Sequence, residues 1–170
     1  MHYRSLRSLF TTNEATLQSI VEILLDPQRT CVKELRLIAD GTKGRGAGRF
    51  GFADVFVMDG SGNAVILELK DIHLAGLHSG KQGQWVGKPS YGAMQDMEKE
   101  VISMGEDSLN GMAYMYWSKD QRRAVRTTVG QIRKDGMVQL ERYMQVVAMG
   151  PVKDFSDSGV FDHHVKISNC

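Results

Sequence analysis

The sequence predicts a mixed α/β fold, and three observations carry that expectation. Two apolar, β-branched runs, 52–58 and 64–70, flank the turn residues Asp59-Gly60-Ser61-Gly62-Asn63, the pattern of a β-hairpin. Apolar residues recur at helical spacing before it (Leu17, Ile20, Val21, Leu24, Leu25) and after it (Val129, Ile132, Met137, Leu140, Met144, Val147), which predicts amphipathic helices on either side. Both faces of the hairpin are mostly apolar, Val55, Val57, Val65 and Leu67 on one and Phe52, Phe56, Met58 and Ile66 on the other, so the hairpin belongs between layers.

Taken in order, Thr11-Thr12-Asn13-Glu14 reads as a capping box opening the first helix, and Asp26-Pro27 ends it. Residues 32–39 form a partly exposed strand, and 40–51 a glycine-rich loop with three basic residues. After the hairpin, 71–90 holds Gly76, Gly80, Gly83, Gly87 and Pro89 and reads as a long loop. Residues 91–104 look helical, 111–117 form a short aromatic and Met-rich segment, and a helix runs from about 128 to 149, where Gly150-Pro151 stops it. The tail, with Gly159-Val160-Phe161 and Val165-Lys166-Ile167, has enough for one short strand. With 170 residues, 42% hydrophobic and 24% charged, the expectation is one globular domain over 1–170.

Composition excludes several classes. Cys31 and Cys170 are far apart and lack C-x-x-C or nearby His spacing, so neither a disulfide framework nor a zinc site is signalled. The first residues lack the apolar run of a signal peptide, and no stretch approaches a membrane span. An intracellular protein, cytoplasmic or nuclear, with no membrane partner is expected. The net charge of +1 is uninformative, but Lys43, Arg45 and Arg49, and again Arg122, Arg123 and Arg126, gather positive charge that would suit a nucleic-acid backbone. A solvated charged face is the plainer alternative.

The chemistry concentrates in the hairpin. If it is symmetric about Ser61, partner numbers sum to 122 and Asp54 lies across from Glu68. Opposed residues have Cβ atoms about 4.5–5.5 Å apart, close enough for two carboxylates to clamp one divalent cation. Lys70, two residues beyond Glu68, would share that face. Hard oxygen donors with room for water suit Mg²⁺ or Mn²⁺, and an ammonium beside the ion could orient a water and offset charge on a phosphoryl group. Phosphodiester hydrolysis is the reaction these parts fit. Alternatively, Asp54 starts a strand at a solvated edge and Glu68 and Lys70 are an ordinary surface pair.

Phe52-Ala53-Asp54-Val55-Phe56-Val57, a short turn, and Val65-Ile66-Leu67-Glu68-Leu69-Lys70 resemble the PD-(D/E)xK nuclease superfamily. With the preceding helix and a later one carrying Gly136-Met137-Val138-Gln139-Leu140-Glu141-Arg142-Tyr143, the chain looks like the fungal and protist subgroup that includes Crinkler-type effectors and proteins near AAA-ATPase modules. The resemblance implies a restriction-endonuclease-like αβββαβ core, a mixed sheet flanked by helices, here with its last strand shortened or lacking. It implies Asp54 and Glu68 as Mg²⁺ or Mn²⁺ ligands, the Leu69 carbonyl as a further ligand, Lys70 as catalytic lysine, and Gln139 approaching the site. For Gln139, a place on the flank of the apolar stripe is an equal alternative. Glu22 could reach the metal through water, although an exposed helical Glu is the default. The expected function is metal-dependent cleavage of nucleic acid, DNA foremost. The alternative is a catalytically silent module binding nucleic acid or protein within a larger effector or ATPase-associated system, and a homodimer or larger assembly stays open.

Other signals weigh less. Residues 46–51 spell G-x-G-x-x-G but lead into a strand instead of the helix a dinucleotide site requires. Adjacent His163 and His164 would point to opposite faces of a strand. His73 and His78 follow Lys70 closely enough to contact substrate, while Trp85 and Tyr91 could stack on a base but more simply anchor their loop; Tyr114, Tyr116 and Trp117 read as core.

Overall fold

The computed structural model describes residues 14–25, 29–44, 48–61, 63–152 and 157–161. Thr11 to Asn13 of the expected capping box, Asp26-Pro27, Arg45, the His163-His164 pair and the run 165–167 lie outside them. In chain order the elements are α1 (Glu14–Leu24), β1 (Thr30–Ile38), β2 (Phe50–Met58), β3 (Ala64–Leu67), α2 (Leu74–Gln82), α3 (Tyr91–Ser103), α4 (Glu106–Gly111), β4 (Ala113–Ser118), β5 (Arg123–Thr128), α5 (Val129–Ala148) and β6 (Gly159–Val160). The fold is mixed α/β with antiparallel sheets. The chain divides into two compact units, one of Glu14–Leu69 with Gly136–Cys170, the other of Lys70–Asp135 with Met1–Asn13. Among the described residues no helix is long and apolar enough to cross a membrane.

The first unit is built on a sheet of order β3-β2-β1-β6. Among the described residues its strand ladders are antiparallel, and a parallel pairing is an isolated bridge from Pro151 to Val160. Short connections between β1, β2 and β3 permit only antiparallel pairing, since parallel neighbours need a crossover. The β2–β3 register runs from Val55↔Leu67 to Met58↔Ala64, symmetric about Ser61 as the sequence expects. Asp59 sets it: its carboxylate accepts from the amides of Ser61 and Asn63, both at 2.9 Å, and from Asn63 Nδ2 at 2.9 Å, while its own amide bonds Asn63 O. β6 supplies a closing strand after α5, but at Gly159–Val160 beside β1.

β2 is buried without a break from Ala53 to Val57, as a strand covered on both faces must be. Leu35, Leu37, Ala53, Phe56 and Val160 from the sheet pack with Tyr143 and Val146 of α5. Fully burying each large side chain is worth about 1.5–3 kcal/mol. A Cβ on Gly51 would stand 2.7 Å from the Tyr143 ring, so glycine is what lets that ring lie against β2. Between Lys33↔Val55 and Leu35↔Ala53 the ladder skips Glu34, whose φ of 52° is left-handed.

In the second unit the expected long loop over 71–90 is corrected: nine of its residues form α2. Gly76 and Gly80, one turn apart, look like loop composition but form a bare stripe on the helix. A Cβ on Gly80 would lie 2.0 Å from the Ala113 carbonyl oxygen, and one on Gly76 2.3 Å from the Tyr114 ring. α2 therefore lies directly on the backbone of β4. Gly83, at φ 71°, caps the helix in the left-handed conformation. The fully buried Ser79 hydroxyl donates to Ala75 O at 2.8 Å and accepts from the Val86 amide at 3.1 Å, fastening the chain that follows. Ser90 caps α3 by accepting from the Ala93 amide at 3.2 Å. Leu77, Met97, Tyr114 and Val129 form the core, and β4 and β5 make a separate two-stranded sheet.

Candidate metal centre and basic surface

Asp54 stands in the middle of β2 and is only 7% exposed. Its Oδ2 accepts the Leu69 amide N–H at 2.6 Å, a charge-assisted bond of the short, strong kind that a buried carboxylate needs. This bond takes the Leu69 amide out of the β2–β3 ladder, which ends at Leu67. Val55↔Leu67 is the last pair of the ladder, and Asp54 and Glu68 are the next residues beyond it on the two chains. Glu68 is half-buried, with its Oε2 shielded from solvent.

Strand β3 ends at Leu67, so Glu68 and Lys70 both lie beyond it, and Lys70 is exposed. Lys70 also begins the second compact unit. At Leu69, the group that reaches Asp54 is the amide, whereas the expected ligand is the carbonyl.

Among the described residues, no three or more His, Cys, Asp or Glu side chains gather as a metal-holding group. The donor set available is two carboxylates and backbone oxygen. That suits a hard ion which keeps several waters, as Mg²⁺ does, and not a zinc site, which wants four protein ligands or three and one water.

Gln139 is half-buried on α5 and its Nε2 donates to the Tyr143 hydroxyl, one turn on, at 3.1 Å. Because the Tyr143 ring packs on Gly51, Gln139 flanks the sheet-facing stripe of the helix. Glu22 is the exposed helical residue of the default reading: it forms an ion pair with Lys33 at 2.8 Å, with side chains 45% and 43% exposed. That hydrogen bond raises the Lys33 ammonium above its usual value. Burial first, and then the Glu22 charge, pushes up the nearby Cys31 thiol.

Lys43 and Arg49 belong to the first unit, and Arg122, Arg123 and Arg126 to the second. Arg49 is structural: it donates from Nη2 to Gly41 O at 3.0 Å and from Nε to Lys43 O, and its own carbonyl accepts from Ala39 and Asp40. Lys43 lies 3.5 Å from Asp40. Arg122 occupies the β4–β5 turn with φ 51°, and Arg123 donates to Gln121 Oε1 at 2.8 Å. Arg123 and Arg126, three apart on β5, face opposite sides of it.

A different feature of this hairpin escaped the sequence. Tyr114 is buried as expected, and burial pushes its hydroxyl above the ordinary value, but Tyr116 is 41% and Trp117 52% exposed. With Trp85, His73, Gly76 and Tyr114 they line a cavity of about 390 Å³. The Trp85 and Trp117 ring centroids are 6.5 Å apart and tilted by 46°. His73 Nε2 lies 3.2 Å from Asp71 Oδ2. The signal present in the sequence was the alternation Tyr114-Met115-Tyr116-Trp117 running into a polar turn, which places large rings on both faces of a two-stranded sheet too small to bury both.

Comparison of the chain with protein-family models, with curated proteins and with solved structures finds no match.

Proposed function

We propose that this chain is a metal-dependent nuclease of the PD-(D/E)xK type, hydrolysing phosphodiester bonds of nucleic acid, with DNA the expected substrate. The observation that carries this reading is Asp54: an acidic residue buried in a central strand, with Glu68 following directly on the strand paired beside it. Two like charges in a largely apolar sheet are costly, and a divalent cation would offset both. The order of elements supports it, because the unit holding both carboxylates runs α1-β1-β2-β3 and resumes with α5-β6, an αβββ…αβ sequence interrupted by residues 70–135. A restriction-endonuclease-like core is part of the proposal.

In this reading Asp54 and Glu68 hold the ion, with the Leu69 carbonyl as a further donor and the Leu69 amide fixing the Asp54 carboxylate. The ion would supply Lewis acidity and charge neutralisation at the scissile phosphate. Lys70, next in the chain, orients the attacking water and offsets charge on the phosphoryl group; the water oxygen bonds phosphorus and gives its proton to solvent, the P–O bond to the leaving sugar breaks, and solvent returns a proton to that oxygen. Gln139 positions substrate or water from α5. The end of β3 before Lys70 favours one second reading, a catalytically silent module that binds nucleic acid or protein.

Cleavage of single-stranded and duplex DNA with Mn²⁺ separates them. The nuclease reading expects cleavage lost with EDTA and in Asp54→Asn and Lys70→Ala variants that keep the wild-type circular dichroism. Intact substrate at micromolar protein with Mn²⁺ present rejects it.

A further inference from the structure

We infer that the 70–135 unit carries a separate binding site for single-stranded nucleic acid, in which bases stack on the exposed rings of the β4–β5 hairpin and the strand's phosphates meet its arginines. The site needs no metal and no part of the Asp54 carboxylate pair.

The geometry comes from the register. Trp117 pairs with Ala124 and Met115 with Arg126, so Arg126 is the diagonal cross-strand neighbour of Trp117 on its own face. Tyr116 pairs with Val125 and Ser118 with Arg123, so Arg123 is the diagonal neighbour of Tyr116 on the other face. Diagonal neighbours are within reach of long and aromatic side chains. Each exposed ring therefore has an arginine at a diagonal position of the opposite strand.

Both rings border the same cavity, which lies at the outer edge of β4, where α2 covers Ala113 and Met115. Trp85 forms the opposite wall and is itself 39% exposed. The rings are thus held in place by the fold while presenting area to solvent. Ordered aromatic surface of this kind is costly in water and binds flat rings; base stacking contributes about 1–3 kcal/mol per base.

Charge decides which flat or aromatic-seeking ligand fits. The hairpin carries Lys119, Arg122, Arg123 and Arg126 against Asp120 alone, and among the described residues no acidic side chain lines the cavity. Asp71 lies nearby, turned to His73. Such a surface repels the quaternary or methylated ammonium that an aromatic cage otherwise takes and attracts an anion-linked ring. Arg123 and Arg126 are three residues apart on an extended strand, about 10 Å, further than one phosphate reaches, so the ligand is a strand and not a single nucleotide.

The chain has two tryptophans, Trp85 and Trp117, and both line this cavity, so intrinsic fluorescence reads the site directly. The experiment titrates the full chain in EDTA with a ten-nucleotide oligothymidylate, thymidine monophosphate, a blunt DNA duplex and tetramethylammonium. The expected result is saturable quenching by the oligonucleotide at concentrations where the other three are silent. Trp117→Ala should weaken binding, read by anisotropy of a labelled oligonucleotide, by roughly 5- to 150-fold. Arg126→Gln should lower the slope of log K against log salt by about 0.7. Asp54→Asn should leave binding unchanged, which keeps this test separate from that of the nuclease. Absence of quenching, equal affinity of Trp117→Ala, an unchanged salt slope in Arg126→Gln, or preference for tetramethylammonium or for thymidine monophosphate would each overturn the inference.

Discussion

Replacing Gly80 by alanine should destabilise the 70–135 unit, although alanine is the better helix former. In an open helix the exchange gains up to about 1 kcal/mol. At Gly80 the added Cβ would sit 2.0 Å from the Ala113 carbonyl oxygen and 2.4 Å from its carbon. Ordinary contact begins at 3.4 Å, so α2 must retreat from β4 by about 1.4 Å (3.4 less 2.0), and both neighbours are backbone that cannot swing aside. A gap of 0.5–1 Å already forfeits a quarter to a half of the dispersion contact across an interface, and overpacking of this kind costs about 1–3 kcal/mol. Less the propensity gain, the expected net loss is about 1 kcal/mol. Gly92, in α3, has nothing within 4 Å of its Cβ position, so Gly92→Ala should stabilise by about 0.5–1 kcal/mol. Urea unfolding followed by tryptophan fluorescence measures both, since both tryptophans lie in this unit. At about 1–3 kcal/mol per molar urea, the two midpoints should fall on opposite sides of wild type. Equal midpoints for Gly80→Ala and Gly92→Ala would refute the close approach of α2 to β4.

Three further outcomes are expected. Mn²⁺ at about 100 times its dissociation constant should stabilise the wild-type chain by about 2.7 kcal/mol, and a thermal shift should show this gain disappear in Asp54→Asn. Glu34→Gly should be neutral or stabilising by up to about 1 kcal/mol, because glycine removes the steric cost of φ 52°; a clear loss in midpoint would mean that the Glu34 side chain holds something in place. The Asp59 carboxyl is held below its usual 3.8, chiefly by the Asn63 side chain and then by the turn amides. Its folded value is depressed, so its contribution is fully present above the unfolded value and is lost as pH falls through the folded one. The stability difference between wild type and Asp59→Ala should accordingly hold steady at neutral pH and shrink only below pH 3.8.

The hairpin was legible in the sequence because its signals agree: β-branched runs, a turn whose Asp59 and Asn63 close on each other, and symmetry about Ser61 that the register reproduces. The helix over Val129–Ala148 was legible for the same reason, as a long periodic pattern ended by Gly150-Pro151. Helix α2 was hidden, since Gly76 and Gly80 serve a packing contact with β4 that lies more than thirty positions downstream in the chain and leaves no local trace. Tyr116 and Trp117 were misread as core because an aromatic run says nothing of how many layers cover it. At the candidate site the register of the hairpin up to Val55↔Leu67 followed from counting, but the capture of the Leu69 amide by Asp54 depends on a side chain competing for a backbone bond. Propensity does not see such competition.

The interrupted layout of the sheet unit bears on how the molecule is born. Strand β6 must find β1 across more than a hundred residues, Leu37 meeting Val160, whereas the intervening stretch from Lys70 to Asp135 closes its contacts over shorter separations, Gly80 meeting Ala113. Loop-closure entropy penalises the distant encounter, and chains rich in short-range contacts fold sooner. The middle of the polypeptide is thereby set to acquire structure before its flanks do. Amides of β1 that face β6 should gain protection from hydrogen exchange last, after those of α2 and α3.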